Sequence, residues 1–355
     1  MNPHIGQIPG LVRQPVSRRQ FLSTTGKGAA AGALAGLFPA GDSLFGAETK
    51  PSASETVVKH LYDSLSPKQQ KEICFDWNHK HAEDGLLRTY IDNAWKVTPQ
   101  SILSDFYTAD QQQMIRDIFQ GMIHPDWHAR FDAQLKDDIG GWGTNQSIAI
   151  FGEPGTGKFQ FVITCRHLTL RCDGDSADHV AFGGPIVYGH EGLDHYESPR
   201  HESNIFWHQA REANEVFAML DGKQRKQALV EQGMPREERV DFKGQEGDFH
   251  GIPVSELSGD QREKLDDVLK SLLTPFRQRD VDETRACLKA QGGLEKCHLA
   301  FYKQGDIGDD GIWDNWRLEG PAFVWYFRGK PHVHVWVHVA DDPNVALNSY
   351  SESVL

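Results

Sequence analysis

Beyond residue 47 the sequence has no apolar run approaching 18 residues, so nothing there is long enough to cross a bilayer as a helix. Positive charge is scarce. Lys and Arg number 37 against 50 Asp and Glu, a formal charge of −13, which argues against nucleic acid or an anionic membrane as a partner. Cysteine is scarce too: Cys74, Cys165, Cys172, Cys287 and Cys297, with no Cys-x-x-Cys spacing that would suit a thiolate zinc site. An oxidising compartment would permit disulfides, Cys165 with Cys172 or Cys287 with Cys297 being the nearest pairs, but an odd total leaves at least one cysteine unpaired within the chain. No Gly-x-Ser-x-Gly elbow is present, so a serine hydrolase of that type is not indicated.

What is present begins with Ser17-Arg18-Arg19-Gln20-Phe21-Leu22, a twin-arginine export motif, followed by the small-residue apolar run from Gly28 to Phe38. Residues 1–47 are therefore predicted to be a signal peptide, read by the twin-arginine export machinery and removed near Ala47. Export by that route predicts a periplasmic or secreted protein, and a folded passenger suits one that already carries a cofactor. Removing the leader takes the charge to −16 and leaves about 308 residues.

The stretch that carries chemistry is Pro331-His332-Val333-His334-Val335-Trp336-Val337-His338-Val339. In a strand, side chains alternate with period two, so the valines take one face while His332, His334, Trp336 and His338 take the other. The valines suit a packed core. Two His at i and i+2 lie roughly 6 to 7 Å apart at Cβ, close enough for two imidazoles to close on one ion. Neutral imidazole suits copper, zinc or iron. The competing reading is a wet sheet face on a module that binds a partner.

Four helix starts follow one pattern. Leu65-Ser66-Pro67-Lys68-Gln69, Tyr107-Thr108-Ala109-Asp110-Gln111, Leu220-Asp221-Gly222-Lys223-Gln224 and Leu257-Ser258-Gly259-Asp260-Gln261 each give an apolar staple, an oxygen-bearing cap and Gln three residues on. The first and third lie 155 residues apart, the second and fourth 150. This spacing predicts an internal duplication: an α+β chain of two related halves, 48–200 and 201–355, each a helical pair followed by antiparallel strands. Phe151-Gly152-Glu153-Pro154 leading into Phe159 to Leu170 matches Glu319-Gly320-Pro321 leading into Val324 to Val339. That alignment sets His167 at the place of His332 or His334, so a pseudo-twofold packing would let His167 join them. Residues 183–204 and 233–252 read as loops, suited to the rim or lid of a site.

Other motifs fall short. Gly152 to Lys158 has phosphate-loop spacing, but Phe159 replaces the hydroxyl residue and a strand follows, so it reads as a hairpin turn. His190-Glu191-Gly192-Leu193-Asp194-His195 has one residue too many for a zinc-protease helix, since i+5 turns the second His about 140° away. Its loop can supply one ligand or a proton shuttle; otherwise His190, His195 and His201 read as solvated rim residues. Asp173 to Asp178 and Asp306 to Asp310 are acidic turns without the spacing of a calcium loop. Phe75-Asp76-Trp77-Asn78-His79-Lys80-His81, Asn93 and Trp95 suit either a site wall or a core.

The helix starts, Phe75-Asp76-Trp77, Asn93 with Trp95 and Pro99, Phe151-Gly152 running to His167-Leu168-Thr169-Leu170, and Glu319-Gly320-Pro321 running to His332-Val333-His334 together resemble the secreted bacterial domain-of-unknown-function family 3500. The resemblance covers nearly the whole chain after residue 47. It implies organisation rather than chemistry, the family being uncharacterised. Its central Gly-His-His-Leu motif is Cys165-Arg166-His167-Leu168 here, so only His167 matches, and an acidic position after Gly-Pro-x-Phe is Tyr326. If those positions are ligands in relatives, the site is altered here, with His338 as the substitute.

The expectation is then a mononuclear metal held by His332 and His334, with His167 and His338 as further ligands. Three nitrogens leave a coordination position open, as in catalytic sites. Arg166 would hold an anionic small-molecule substrate and Tyr326 would donate a proton, in a metal-dependent oxidoreductase or hydrolase. The alternative is a non-catalytic periplasmic protein that binds a metal or a ligand.

Overall fold

A computed structural model of the chain describes residues 53–82, 85–191, 204–307 and 310–345. The predicted leader, His195 and His201 lie outside them. The described helices are α1 (Ala53–Ser64), α2 (Pro67–Ile73), α3 (Ala109–Met122), α4 (His128–Ile139), α5 (Trp207–Met219), α6 (Gly222–Ala228), α7 (Gly259–Leu273) and α8 (Gln278–Ala290). All four predicted starts are capping boxes. Ser66, Thr108, Asp221 and Ser258 each accept the backbone N–H of the Gln three residues on, and that Gln side chain accepts the N–H of the cap.

The strands are β1 (Cys74–Phe75), β2 (Lys80–His81), β3 (Gly85–Leu86), β4 (Ser147–Gly152), β5 (Phe159–Cys165), β6 (Leu168–Cys172), β7 (Ile186–His190), β8 (Leu229–Val230), β9 (Ile252–Pro253), β10 (His298–Tyr302), β11 (Asn315–Gly320), β12 (Phe323–Arg328) and β13 (Val333–Val339). All but β2 and β3 join one sheet in the order β1-β4-β5-β6-β7-β13-β12-β11-β10-β8, with β9 also on β10. The outermost pairs, β1 with β4 and β8 with β10, are parallel. The long strands between them pair antiparallel, and β7 with β13 forms the middle. The fold is thus α+β, and one sheet runs continuously through both parts of the chain.

The helices pack on one face of this sheet. Val333, Val335, Val337 and Val339 bury against a core that includes Ile118, Phe119, Leu168, Leu269 and Leu272, as their alternation predicts. The opposite face carries smaller clusters around Val187, Tyr302, Tyr326 and Trp336, into which Ile91 and Val240 reach from irregular segments. His334, Trp336 and His338 lie on that second face, and it is dry: each is at most 2% exposed.

Two local expectations change and a third holds. Residues 183–204 are not all loop, because Ile186–His190 is a central strand. All five of its residues are buried, so it lacks the half-wet alternation by which strands are recognised. His190 is accordingly buried rather than on a rim. No disulfide forms, and all five cysteines are thiols. Cys172 pairs with Phe161 and Cys165 with Leu168, at opposite ends of one hairpin, out of reach of each other. The glycine turn after Gly152 is a β4–β5 hairpin, as expected, with Gly155 at φ +90°.

Candidate metal centre

His167 stands in the tight turn between β5 and β6. Its backbone is left-handed, φ +56°, a conformation an L-residue adopts at some cost, and its N–H donates to the carbonyl of Asn93 at 2.7 Å. The sheet register then fixes its neighbours. Leu168 pairs with Tyr188 and Tyr188 with Val335, while Gly189 pairs with His334. His167 and His334 therefore share one row, two strands apart, with Gly189 between them. A Cβ on Gly189 would come within 2.2 Å of the Val333 carbonyl, so only glycine lets β7 and β13 approach this closely here.

His332 enters from just before β13. Its Nε2 lies 3.1 Å from Nε2 of His167 and 2.8 Å from Nε2 of His334. An ion about 2.1 Å from each of three nitrogens would hold them about 3 to 3.4 Å apart. His332 Nε2 thus stands at about ligand spacing from each of the other two, and a ligand nitrogen from each of the three rings lies within 4.8 Å of the others.

The far side of two rings is held by carboxylates. His167 Nδ1 donates to Asp138 Oδ2 at 2.7 Å, and Nδ1 of His334 lies 2.6 Å from Oε2 of Glu237. A proton on Nδ1 leaves a lone pair on Nε2, so Asp138 selects the His167 tautomer that aims a lone pair inward; Glu237 favours the same for His334, against the donor that Arg328 offers to that Nδ1. Trp336 donates its indole N–H to the same Glu237 oxygen at 3.2 Å, and Arg328 Nε sits 2.9 Å from it. Burial raises the Glu237 carboxyl while Arg328 pulls it back down. Arg328 also crowds His334 Nδ1, at 2.6 Å.

Burial, reinforced by the neighbouring rings and by Arg328 and Arg166, pushes His332 down to about 2, and burial also drives His334 well below its ordinary value. Both are neutral at neutral pH, the form that binds metal. Asp138 comes from the last turn of α4, where a carboxylate opposes the helix dipole. His167 and Arg166, whose Nε is 3.8 Å from Asp138 Oδ1, compensate it. Glu191, one residue past β7, sets Oε2 3.7 Å from His332 Nε2 and pairs with Arg166 through the same oxygen.

Of the residues singled out from sequence, His167, His332 and His334 meet, and Arg166 stands at their edge. The join is not the one the sequence alignment suggested. His167 lies in the turn before β6, whereas His334 belongs to β13 and His332 directly precedes it, and they meet because a single strand, β7, lies between β6 and β13. His338 is not brought to the cluster. It is four residues beyond His334, about 13 Å along the strand. Its ring stacks on Phe242, centroids 3.8 Å apart, and its Nδ1 donates to the Val240 carbonyl at 3.3 Å. Tyr326 also stands apart, its hydroxyl donating to the Pro235 carbonyl at 2.9 Å and raised in pKa by burial.

Asp138, Glu237 and Arg328 were missed, and Glu191 was seen only as part of a failed motif. Arg328 alone carried a signal. It follows Tyr326 by two on an alternating strand, and a short β12–β13 turn sets it opposite His334.

A family model described as a protein of unknown function (DUF3500) matches residues 47–340. No curated protein and no solved structure matches the chain. The match spans the whole described sheet and every residue of the histidine cluster, and the chain belongs to that family.

Proposed function

We propose that this chain is an exported metalloprotein in which His167, His332 and His334 hold one divalent transition-metal ion, zinc, copper or iron, beside a cleft for a small molecule. The observation that carries this reading is the convergence of three Nε2 atoms, at 3.1 and 2.8 Å, with carboxylates on two of the opposite nitrogens. Hydrogen bonds among neutral rings explain it poorly. If His167 and His334 spend their protons on Asp138 and Glu237, both offer only lone pairs to His332, which has one proton at most.

When bound, the ion supplies Lewis acidity or, as copper or iron, redox chemistry. The protein supplies the rest. Asp138 and Glu237 fix the rings, Glu191 stands where a fourth ligand or a proton acceptor is needed, and Arg166 faces solvent with charge for an anion. An enzyme is the reading we favour, because a cleft of about 410 Å³, lined in part by Asp138 and Arg166, adjoins the cluster. A non-catalytic metal-binding role is favoured instead by how deeply His167 and His334 are buried, each 2% exposed. The full chain purified from its native compartment is expected to contain about one transition-metal ion per molecule by elemental analysis. A content near zero, unrestored by adding zinc, copper or iron, would overturn the reading.

We infer, further, that export uses the twin-arginine motif at Arg18-Arg19. The family match begins at residue 47, where this reading ends the leader. Replacing both arginines by lysine should retain the protein in the cytoplasm.

We also infer that the two halves arose by duplication. Gln69 and Gln111 bond each other through their amides, and Gln69 donates to the Phe106 carbonyl while Gln111 donates to that of Ser64. Gln224 and Gln261 repeat this, with Glu256 and Met219 in the places of Phe106 and Ser64. Each acceptor immediately precedes a staple residue. The sheet order supports the same inference, reading inward from either end as a short parallel strand and then four antiparallel ones.

A further inference from the structure

Glu191 places a buried carboxylate between two features of the site. Its Oε2 is 3.7 Å from His332 Nε2, where the histidines converge. The same oxygen meets the guanidinium of Arg166, a side chain 42% exposed. An exposed cation thus reaches the coordination face through a carboxylate. Beside Arg166 the cleft of about 410 Å³ continues past Lys96, Trp95, Ile139 and Asn145. Trp95 is pinned by its indole N–H on Thr169 Oγ1 at 2.9 Å, and with Ile139 it gives the cleft an apolar wall. Lys96, whose Nζ is 3.1 Å from Ser101 Oγ, adds positive charge further along.

The charges decide what fits. Asp138, Glu191 and Glu237 set three negative charges against the two positive charges of Arg166 and Arg328. A divalent ion turns that balance from one negative to one positive; with Glu191 displaced it stands at two positive, and an incoming carboxylate restores the negative charge that Glu191 supplied. Guanidinium recognises a planar carboxylate with two parallel hydrogen bonds, a fit that a carboxamide lacks.

We propose that the ligand of this site is a small organic carboxylate with an apolar, ring-sized remainder. Its carboxylate takes the position between Arg166 and the ion that Glu191 occupies here, and its remainder lies against Trp95 and Ile139. Glu191 is then an internal stand-in, displaced when the ligand binds. This rests on the metal reading above.

The test loads the full chain with cobalt(II) and follows its visible absorption while benzoate is added, with the neutral analogue benzamide and inorganic phosphate as comparisons. Benzoate should shift the spectrum saturably and benzamide should not. Arg166→Gln should weaken benzoate binding about 10- to 100-fold, the range for losing a charged hydrogen-bond partner, with Arg166→Lys in between. Glu191→Gln should act in the opposite direction and tighten benzoate several-fold, because it removes the competitor. That opposite sign keeps the proposal falsifiable should one variant fold poorly. A spectrum indifferent to benzoate, an equal response to benzamide, tighter binding of phosphate, or unchanged affinity in both variants would overturn the carboxylate assignment while leaving the metal site standing. Failure to take up cobalt would instead strike the metal site, and this proposal with it.

Discussion

The helix starts of the two halves and the loops that cover the polar face of the sheet have diverged to different degrees. The starts are the same device built twice, down to which carbonyl each glutamine amide reaches. The loops are not. In the first half, the 3-10 turn Leu87–Thr89 and the Tyr90 that caps it give backbone carbonyls of Arg88 and Tyr90 to the buried guanidinium of Arg171. In the second, the segment around residue 237 gives a carboxylate to Arg328 and to a histidine that faces two others. Carbonyls satisfy a cation and stop there; a carboxylate also orients an imidazole and tunes it as a ligand. The scaffold repeats, then, while of these two covering segments only the second hands a carboxylate to an imidazole.

That contrast can be broken by experiment. If scaffold and chemistry are separable, His332→Ala with His334→Ala should abolish stoichiometric metal uptake while far-ultraviolet circular dichroism keeps its helical signal. Unchanged metal content would show the ligands to be misassigned. Next in size, Glu237→Gln or Asp138→Asn should weaken metal affinity about 10- to 100-fold by losing the charge that fixes a ring, measured by competition with a chelator of known affinity. An unaltered affinity would reduce both carboxylates to packing.

The scaffold side makes the reverse demand. Gln69→Ala and Gln224→Ala each remove one partner of a paired amide and should each lower stability by about 1 to 3 kcal/mol in denaturant unfolding, with metal affinity unchanged. A large effect from one and none from the other would end the likeness of the two starts. The smallest effect separates the hairpins. The β4–β5 turn has no acid trio, whereas the β10–β11 connection carries Asp306, Asp310 and Asp314, and burial together with the other two acids pushes Asp314 up to about 7 against the Ile307 N–H. Its folded pKa exceeds the unfolded one, so the stability it contributes is complete below about pH 4 and is lost as pH rises through about 7. Asp314→Asn should flatten the decline in melting temperature between pH 5 and 8; an identical slope in the variant would remove Asp314 from the explanation.

Much of this was readable from the chain because it is local. Cap, staple and glutamine lie within five residues, and all four starts formed as written. The valine and histidine faces follow from period two alone. The strand Ile186–His190 was hidden because burial on both faces erases that period. Asp138 and Glu237 gave no sign, since one closes a helix and the other lies in an aperiodic loop, and only the completed sheet sets them behind His167 and His334. His338 misled for the opposite reason: it shares the period and the face, but strand rise carries it out of reach.

The antiparallel seam between β7 and β13 has one further consequence. One imidazole reaches the cluster from before the seam and two from after it, so neither stretch of chain alone owns a coordination face. A cation held there would act as a rivet across the middle of the sheet, adding stability that grows with the logarithm of its free concentration. Metal supply and the joining of the two flanks would then be one equilibrium observed from two ends.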